Sequence, residues 1–438
     1  MKARLVPVHF STGQSKEFTR QLGALRDLLR EHADILDPVS LGSALPEADA
    51  VLFPEVLGEA YRRLDDFRTI NVPILLITSE FGTLSMWDWE IAGYLRAEGV
   101  ATIAPYSVEQ ARKVCRALAV KRQLAESKFL VYQDNPGEGF QAEIFKRFYW
   151  WEDECSRRIK DKFGVAVVKK SFRELGQQAK EIPDTEADEV LKSRRFPTGD
   201  LTSRPLLSAA KLYIAVKREL DRDPSIRSVG INCLNESHFS DTTPCLAWNL
   251  LYEERRLIWG CEADTMSMLT MYILHNSLDV PIMMTNLYPF VVGQAALKHE
   301  RIPSFPDKEA PENCVLVAHC GYLGVLPQSF ATEWTLRPKV LAIVDDNATA
   351  IDARLPLGDM TLAKLDPRLE RMTLLEGTLE DYAQYPESHC RNGAVLRVRD
   401  GHKLMDRLVS HHYLLMTGHN RVEAEMIAKV FRLEVEAI

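Results

Sequence analysis

The spacing of hydrophobic residues follows two patterns along this chain, and the change between them falls near residue 280. Before that point, short apolar runs such as residues 5–10 and 50–53 alternate with longer segments of helical periodicity. Strands that alternate with helices predict parallel sheets connected by right-handed crossovers. We therefore expect two doubly wound α/β domains, an N-terminal one at residues 1–126 and a second at 127–280.

After residue 280 strand-like runs dominate, and turn residues separate them at short intervals. Such spacing is typical of an antiparallel barrel or sandwich. A helix predicted at 422–430 ends the chain. The third domain, residues 281–438, is therefore expected to be β-rich and barrel-like with a terminal helix. Its predicted strands are residues 282–285, 314–318, 339–344, 360–363, 372–375 and 394–398.

Composition narrows the class of protein. The 438 residues are 46% hydrophobic and 26% charged, which is ordinary for a soluble globular chain. The net charge of −8 disfavours nucleic acid as a partner, because such a partner selects a basic face. No apolar run reaches the roughly 18 residues that a membrane helix needs. Residues 1–8 read as a short strand rather than a signal peptide, so we expect a cytoplasmic protein.

The eight cysteines contain no C-x-x-C pair, which argues against a thiolate zinc site. Several lie inside apolar strands, where cysteine behaves as a small hydrophobic residue. We expect free thiols.

Glu262 and Asp264 open a predicted helix and are the first candidates for chemistry. Acidic side chains in a first helical turn are stabilised by the helix dipole, so a capping role explains the pair. The alternative is that Glu262 binds a metal or acts as an acid or base at the mouth of a pocket.

Asn235 and Glu236 follow a strand of the second domain, where α/β proteins bind ligands, and they either bind a polar ligand or form an exposed loop.

Four histidines of the last domain are further candidates. His319 follows an apolar strand, where a single histidine is more often a structural hydrogen-bonding group. His411 and His412 are neighbours in a predicted strand, so their side chains face opposite sides and at most one meets a metal. His419 lies near the chain end. Imidazole together with carboxylates suits Mn²⁺ and similar divalent ions.

The order of these segments resembles the L-fucose/L-arabinose isomerase family along the whole chain. The resemblance implies a Mn²⁺-dependent aldose–ketose isomerase that works through a cis-enediol. In that chemistry the metal polarises the substrate carbonyl and a carboxylate moves the proton. By motif position Glu262 resembles the family's first metal-binding and catalytic carboxylate, and His412 resembles its C-terminal metal-binding histidine. The segments are Cys261-Glu262-Ala263-Asp264, Ala318-His319-Cys320-Gly321, Cys390-Arg391-Asn392-Gly393 and His411-His412 with Gly418-His419.

One position departs from the family pattern. Asn286 stands where the resemblance implies a second catalytic carboxylate, and an amide can bind a metal through its oxygen but cannot be a carboxylate base. Either another group, such as Glu236 or His319, supplies the second acid or base, or the reaction differs. We therefore take Glu262, Asn286 and Glu236 as candidate catalytic residues. The candidate metal ligands are Glu262, Asn286, His319 and His412.

The family also implies an active site between subunits, closed by a neighbour's first domain, and hence a homo-trimer or homo-hexamer. Residues 80–83 and the segment with Trp87 and Asp88 suit that role, since aromatic rings stack on sugar faces. The alternative is that the tryptophans only anchor a helix. The candidate substrate-binding residues are Trp87, Asp88, Asn235 and His419.

The preferred interpretation is a metal-dependent isomerase of a sugar or sugar derivative. A first alternative is an epimerase or lyase of a polyhydroxylated substrate, which Asn286 favours. A second is a non-catalytic sugar-binding protein on the same paired α/β domains.

Overall fold

The structure, a computed structural model, describes seven stretches of the chain, and for residues 86–89, 148 and 405 it describes the backbone alone. No helix among these residues is both long and apolar enough to span a membrane. The described stretches are residues 1–10, 14–55, 60–79, 86–135, 143–194, 196–289 and 301–438.

The chain forms two compact units. The first consists of Met1–Leu124, Asn276–Asp279 and Val422–Glu434. The second consists of Ala125–His275, Val280–Arg421 and Val435–Ile438. The terminal helix, which the sequence pattern assigns to the β-rich domain, thus belongs to the first unit. The division into three domains at residues 126 and 280 stays a prediction.

The first unit is built on a parallel sheet with strand order β2-β1-β4-β5-β6, in which β3 also pairs with β1. Its core packs side chains of the sheet against those of the helices, as where the rings of Phe53 and Phe67 stack at 5.1 Å. The strands are β1 (Ala3–His9), β2 (Ala33–Ile35), β3 (Val39–Ser40), β4 (Ala50–Phe53), β5 (Ile74–Leu76) and β6 (Thr102–Ile103). The helices are Lys16–Leu28, Leu64–Arg68, Met86–Ala97, Val108–Ala125 and Arg421–Val430.

The second unit begins with another parallel sheet, in the order β10-β9-β7-β8. Strands β7, β9 and β10 are mostly buried, as expected for a parallel sheet covered by helices, whereas the edge strand β8 is partly exposed. They are β7 (Lys128–Tyr132), β8 (Ala166–Lys170), β9 (Ile226–Ile231) and β10 (Ile258–Gly260). The helices of this part are Phe145–Phe148, Asp153–Phe163, Phe172–Lys180, Asp184–Lys192, Ser203–Arg222, Cys233–Glu236, Cys245–Arg255 and Thr265–Leu278.

An antiparallel barrel completes the second unit. Within the described residues, six strands in the order β15-β18-β11-β12-β17-β16 close through pairing of β16 with β15, and β19 (Glu434–Ala437) adds to β16. A hairpin of β13 (Glu333–Pro338) and β14 (Thr349–Arg354) and a helix His402–Arg407 accompany it. The barrel strands are β11 (Ile282–Pro289), β12 (Cys314–Ala318), β15 (Gly358–Leu365), β16 (Arg371–Gln384), β17 (Asn392–Val398) and β18 (His412–Thr417).

The expected combination of parallel α/β sheets and a C-terminal antiparallel barrel is confirmed. One predicted strand is wrong, because residues 339–344 form turns after β13. The amide of Lys339 donates to the Ala348 carbonyl, and its ammonium donates to the Val344 carbonyl at 2.9 Å. The apolar side chains of this run line a cavity instead of a sheet.

Candidate metal centre

Glu262, His319 and His412 come together in the second unit. One potential ligand atom of each lies within 4.8 Å of the other two, and all three side chains are buried. Strand pairing explains how the histidines meet. Asn286 of β11 pairs with Ala318 on one side and with His412 on the other, so His319 and His412 flank the same position of β11. These three residues form what we call the metal centre.

The backbone at Glu262 has an unusual conformation. Strand β10 ends at Gly260, and Glu262 and Ala263 then take left-handed φ values of 54° and 55°. A left-handed non-glycine residue costs about 1–3 kcal/mol and is often found at functional sites. The indole of Trp151 donates to the Ala263 carbonyl at 2.9 Å and helps to hold this turn.

Asp264 caps the helix that follows. Its Oδ1 accepts the backbone N–H of Ser267 at 2.8 Å. Its Oδ2 accepts hydrogen bonds from the Ser267 hydroxyl at 2.7 Å and from the Lys364 ammonium at 3.0 Å. Burial alone raises the pKa of Asp264, but the charge of Lys364 and the hydrogen bonds from His412 and Ser267 lower it well below its usual value. Asp264 is therefore a buried carboxylate and, unlike Glu262, a structural cap.

Each imidazole of the metal centre is held through Nδ1. His412 Nδ1 lies 2.9 Å from Asp264 Oδ2, and His319 Nδ1 lies 3.3 Å from Asn286 Oδ1. A carboxylate and an amide oxygen accept, so we assign the proton of both rings to Nδ1. The lone pair of each Nε2 is then free. Metal-binding histidines show this arrangement, with an outer acceptor that fixes the tautomer.

The Nε2 atoms of His319 and His412 are buried and lack a hydrogen-bond partner among the described residues. Buried polar atoms are normally paired, so two such atoms at one place beside a carboxylate form a group that could hold a metal ion. Burial lowers the pKa of His319 to about 4, and burial also lowers the pKa of His412 well below its usual value. Both rings are thus neutral, as metal binding requires. His412 Nε2 lies 3.9 Å from Glu262 Oε1, which suits two ligands of one ion at about 2.0–2.2 Å each.

Tyr149 adds a contact that the sequence analysis missed. Its hydroxyl donates to Glu262 Oε2 at 2.6 Å, and its ring stacks on His412 at 5.0 Å. Burial and the nearby Glu262 charge raise the pKa of Tyr149 well above its usual value, so the phenol stays protonated. The same hydroxyl lies 3.5 Å from Nε2 of the exposed His411. The expectation that the two neighbouring histidines face opposite sides is wrong, because His411 precedes β18 and its ring lies 4.2 Å from that of His412, although His412 alone is buried.

A cavity of about 400 Å³ opens on the metal centre. This volume falls within the usual range for small-molecule sites. Aliphatic side chains and Phe145 form part of its lining. The polar part of the lining comes from Tyr149, Glu262, Asn286, Tyr288, His319, His389 and His411, together with Cys320 and Cys390.

The other predicted site residues have different places. Glu236 is buried and accepts the backbone N–H of Asp134 at 3.0 Å, and Asn235 is half-buried beside it in the short helix Cys233–Glu236. Neither is among the described residues that line the cavity. Asn286 lines it but serves His319 as hydrogen-bond acceptor.

His419 follows the opposite end of β18 from His412, and it is exposed with Nε2 at 3.6 Å from Asp359. Trp87 and Asp88 belong to the helix Met86–Ala97, but their side chains, like residues 80–83, lie outside what the structure describes. All eight cysteines are free thiols, as expected from their apolar surroundings in the sequence.

Comparison with models of known protein families found no match, and a search of curated proteins found no similar chain.

Proposed function

We propose that this chain is a metal-dependent enzyme in which Glu262, His319 and His412 hold one divalent cation. The observation that carries the proposal is the pair of buried Nε2 atoms that have no hydrogen-bond partner within the described part of the chain and lie beside a buried carboxylate. Two imidazoles and one carboxylate suit Mn²⁺, Fe²⁺ and Zn²⁺, and the family resemblance favours Mn²⁺. Three protein ligands leave coordination positions for substrate oxygens.

The reaction proposed is aldose–ketose isomerisation of a hydroxy-carbonyl compound through an enediol, as the resemblance to the L-fucose/L-arabinose isomerases suggests. A bound cation supplies Lewis acidity that polarises the carbonyl. The protein supplies orientation: Asp264 and Asn286 fix the two imidazoles, and the Tyr149 hydroxyl holds Glu262 Oε2. Among the described lining residues Glu262 is the one carboxylate, so we assign it the transfer of the proton between neighbouring carbons.

A second candidate is a different reaction on a polyhydroxylated substrate, such as epimerisation or carbon–carbon cleavage. One observation favours it. Asn286 is bonded to His319 and Tyr288, and the described lining of the cavity contains no second carboxylate that could act as a base.

Metal analysis of the purified protein, followed by assays on an aldose and ketose panel that includes acidic and phosphorylated sugars, tests the proposal. We expect one Mn²⁺ or related ion per chain and interconversion of one aldose–ketose pair. Glu262→Gln should lose metal and activity, since general base catalysis contributes about 10²–10⁴-fold. His402→Ala, which changes an exposed histidine outside the candidate site residues, is the matched control and should retain both.

Metal without isomerisation, but with turnover of a panel sugar to another product, would favour the second candidate. Metal without any turnover would support a non-catalytic binding protein, and protein that binds no divalent ion would contradict both enzymatic proposals.

A further inference from the structure

The wall of the cavity away from the metal centre is apolar. Leu341, Ala342 and Ile343 contribute to it from the turn segment after β13. Phe145 and Leu234 add an aromatic ring and an aliphatic side chain. The apolar run at residues 339–344, which the sequence pattern assigns to a strand, therefore lines a cavity and does not pack in the interior of a sheet.

Five polar side chains of the cavity lining, at or next to the metal centre, are bonded to one another in pairs. Tyr149 donates to Glu262, His319 donates to Asn286, and the Asn286 amide nitrogen donates to the Tyr288 hydroxyl at 3.0 Å. These groups have much of their hydrogen-bonding capacity in use already. A chain of hydroxyls that extends from the metal centre along the apolar wall would meet few partners there.

The described lining contains neither lysine nor arginine, and His389 is the histidine of this lining that stands apart from the metal centre and its neighbour His411. Proteins bind phosphate and carboxylate groups mainly through lysine and arginine side chains or through helix N-termini. A substrate with an anionic group at its far end therefore finds no permanently charged cation among these residues.

We propose that the substrate of this site is an uncharged compound with two adjacent oxygens at one end and an apolar carbon skeleton at the other. The oxygens meet the metal centre, and the skeleton packs on Leu341, Ile343 and Phe145. This inference rests on the proposed metal function and narrows it, because among aldoses and ketoses it disfavours phosphorylated and acidic ones and favours those whose carbon chain carries few hydroxyls. A hydrophobic pocket discriminates by roughly 10–200-fold for each methylene gained or lost.

Hydroxamic acids provide probes for the test, since they chelate a metal through two oxygens and can carry different tails. The Mn²⁺-loaded full chain is titrated calorimetrically with benzohydroxamic acid and with erythronohydroxamic acid, which match in size but carry an aromatic and a polyol tail. We expect the aromatic probe to bind at least about tenfold more tightly. Equal or tighter binding of the polyol probe overturns the inference.

Leu341→Asn should reduce the preference for the aromatic tail while the bound Mn²⁺ stays unchanged. Leu357→Asn, which alters a side chain that is 60% exposed and outside the cavity lining, is the control and should keep the wild-type preference. If the wild-type chain binds no Mn²⁺, the proposed function fails. If it binds Mn²⁺ and prefers the polyol probe, the substrate inference alone fails. The ratio of the two probe affinities for the wild-type chain therefore decides the question even if Leu341→Asn does not fold.

Discussion

At the scale of single residues, the role of each side chain depends on which of its atoms face the metal centre. The sequence identifies Glu262 and Asp264 as a pair but cannot tell the ligand from the cap, because both stand at the start of one helix. The left-handed backbone conformation at Glu262 distinguishes the candidate ligand from the cap. No sequence pattern predicts a left-handed, strained non-glycine residue. The contact between Tyr149 and Glu262 could not be predicted from the sequence either, since these residues are 113 positions apart.

Asn286 can be tested as the residue that orients His319. Asn286→Ala removes the acceptor of His319 Nδ1 and should weaken Mn²⁺ binding by about 10–100-fold, as is typical of outer partners of metal ligands. Asn286→Asp restores an acceptor and should retain the metal and preserve or raise isomerase turnover. Calorimetric Mn²⁺ titration and an isomerase assay check both. If Asn286→Asp abolishes the native reaction with metal bound, a neutral amide is required and the reaction is not simple isomerisation.

The buried ion pair of Lys364 and Asp264 gives a second residue-scale prediction. Both side chains are almost fully buried, and Lys364 also donates to the Ser267 hydroxyl at 2.5 Å. Lys364→Met leaves a buried carboxylate without its cation and should lower the free energy of unfolding by about 3–5 kcal/mol in urea titration. Lys192→Met, at an exposed pair with Asp188, is the control and should be indistinguishable from wild type. Similar midpoints for the two variants would contradict this view of Asp264.

At the scale of elements, periodicity predicts strand and helix type well where an element packs on one face. It predicts the change from parallel sheets to the barrel for that reason. It fails at residues 339–344, because hydrophobicity reports burial and does not say whether the side chains bury against a sheet or around a cavity. The hairpin of β13 and β14 was also missed. Residues 333–337 alternate polar and apolar side chains, but the apolar signal comes from Trp334 and Leu336 alone and is too short to stand out.

Two helical glycines predict opposite effects for the same substitution. A Cβ at Gly176, in the helix Phe172–Lys180, would come within 2.3 Å of the Phe239 backbone oxygen, so Gly176→Ala should destabilise by about 1–3 kcal/mol. A Cβ at Gly23, on the exposed side of Lys16–Leu28, meets nothing within 4 Å. Gly23→Ala should therefore stabilise by about 0.5–1 kcal/mol. Thermal unfolding of both variants measures the sign, and a stabilising Gly176→Ala would show that the helix contact is misjudged.

At the scale of the whole molecule, the sequence predicts the fold classes but not the course of the chain between units. The segments Asn276–Asp279 and Val422–Glu434 join the first unit although the sequence places them in later domains. Hydrophobic periodicity describes each helix by itself. An amphipathic pattern does not specify which sheet the apolar face of the helix will pack against.

Assembly is predicted from the resemblance and from the aromatic–acidic segment around Trp87. We expect a homo-trimer or homo-hexamer in which a neighbour's first domain closes the cavity. Analytical ultracentrifugation at assay concentrations should give the mass of three or six chains of 49.8 kDa each. A stable monomer with full activity would refute the prediction, because a site that needs a neighbour cannot work alone.

The central claim, that Glu262, His319 and His412 hold one metal ion, is tested most directly by anomalous diffraction from crystals grown with Mn²⁺. We expect a single strong anomalous peak per chain, from an ion bonded to a Glu262 oxygen and to Nε2 of both histidines at about 2.0–2.2 Å. Asp264 and Asn286 should contact the Nδ1 atoms and not the ion. Crystals that contain Mn²⁺ elsewhere, or that show water alone between these three side chains at saturating Mn²⁺, would contradict the claim.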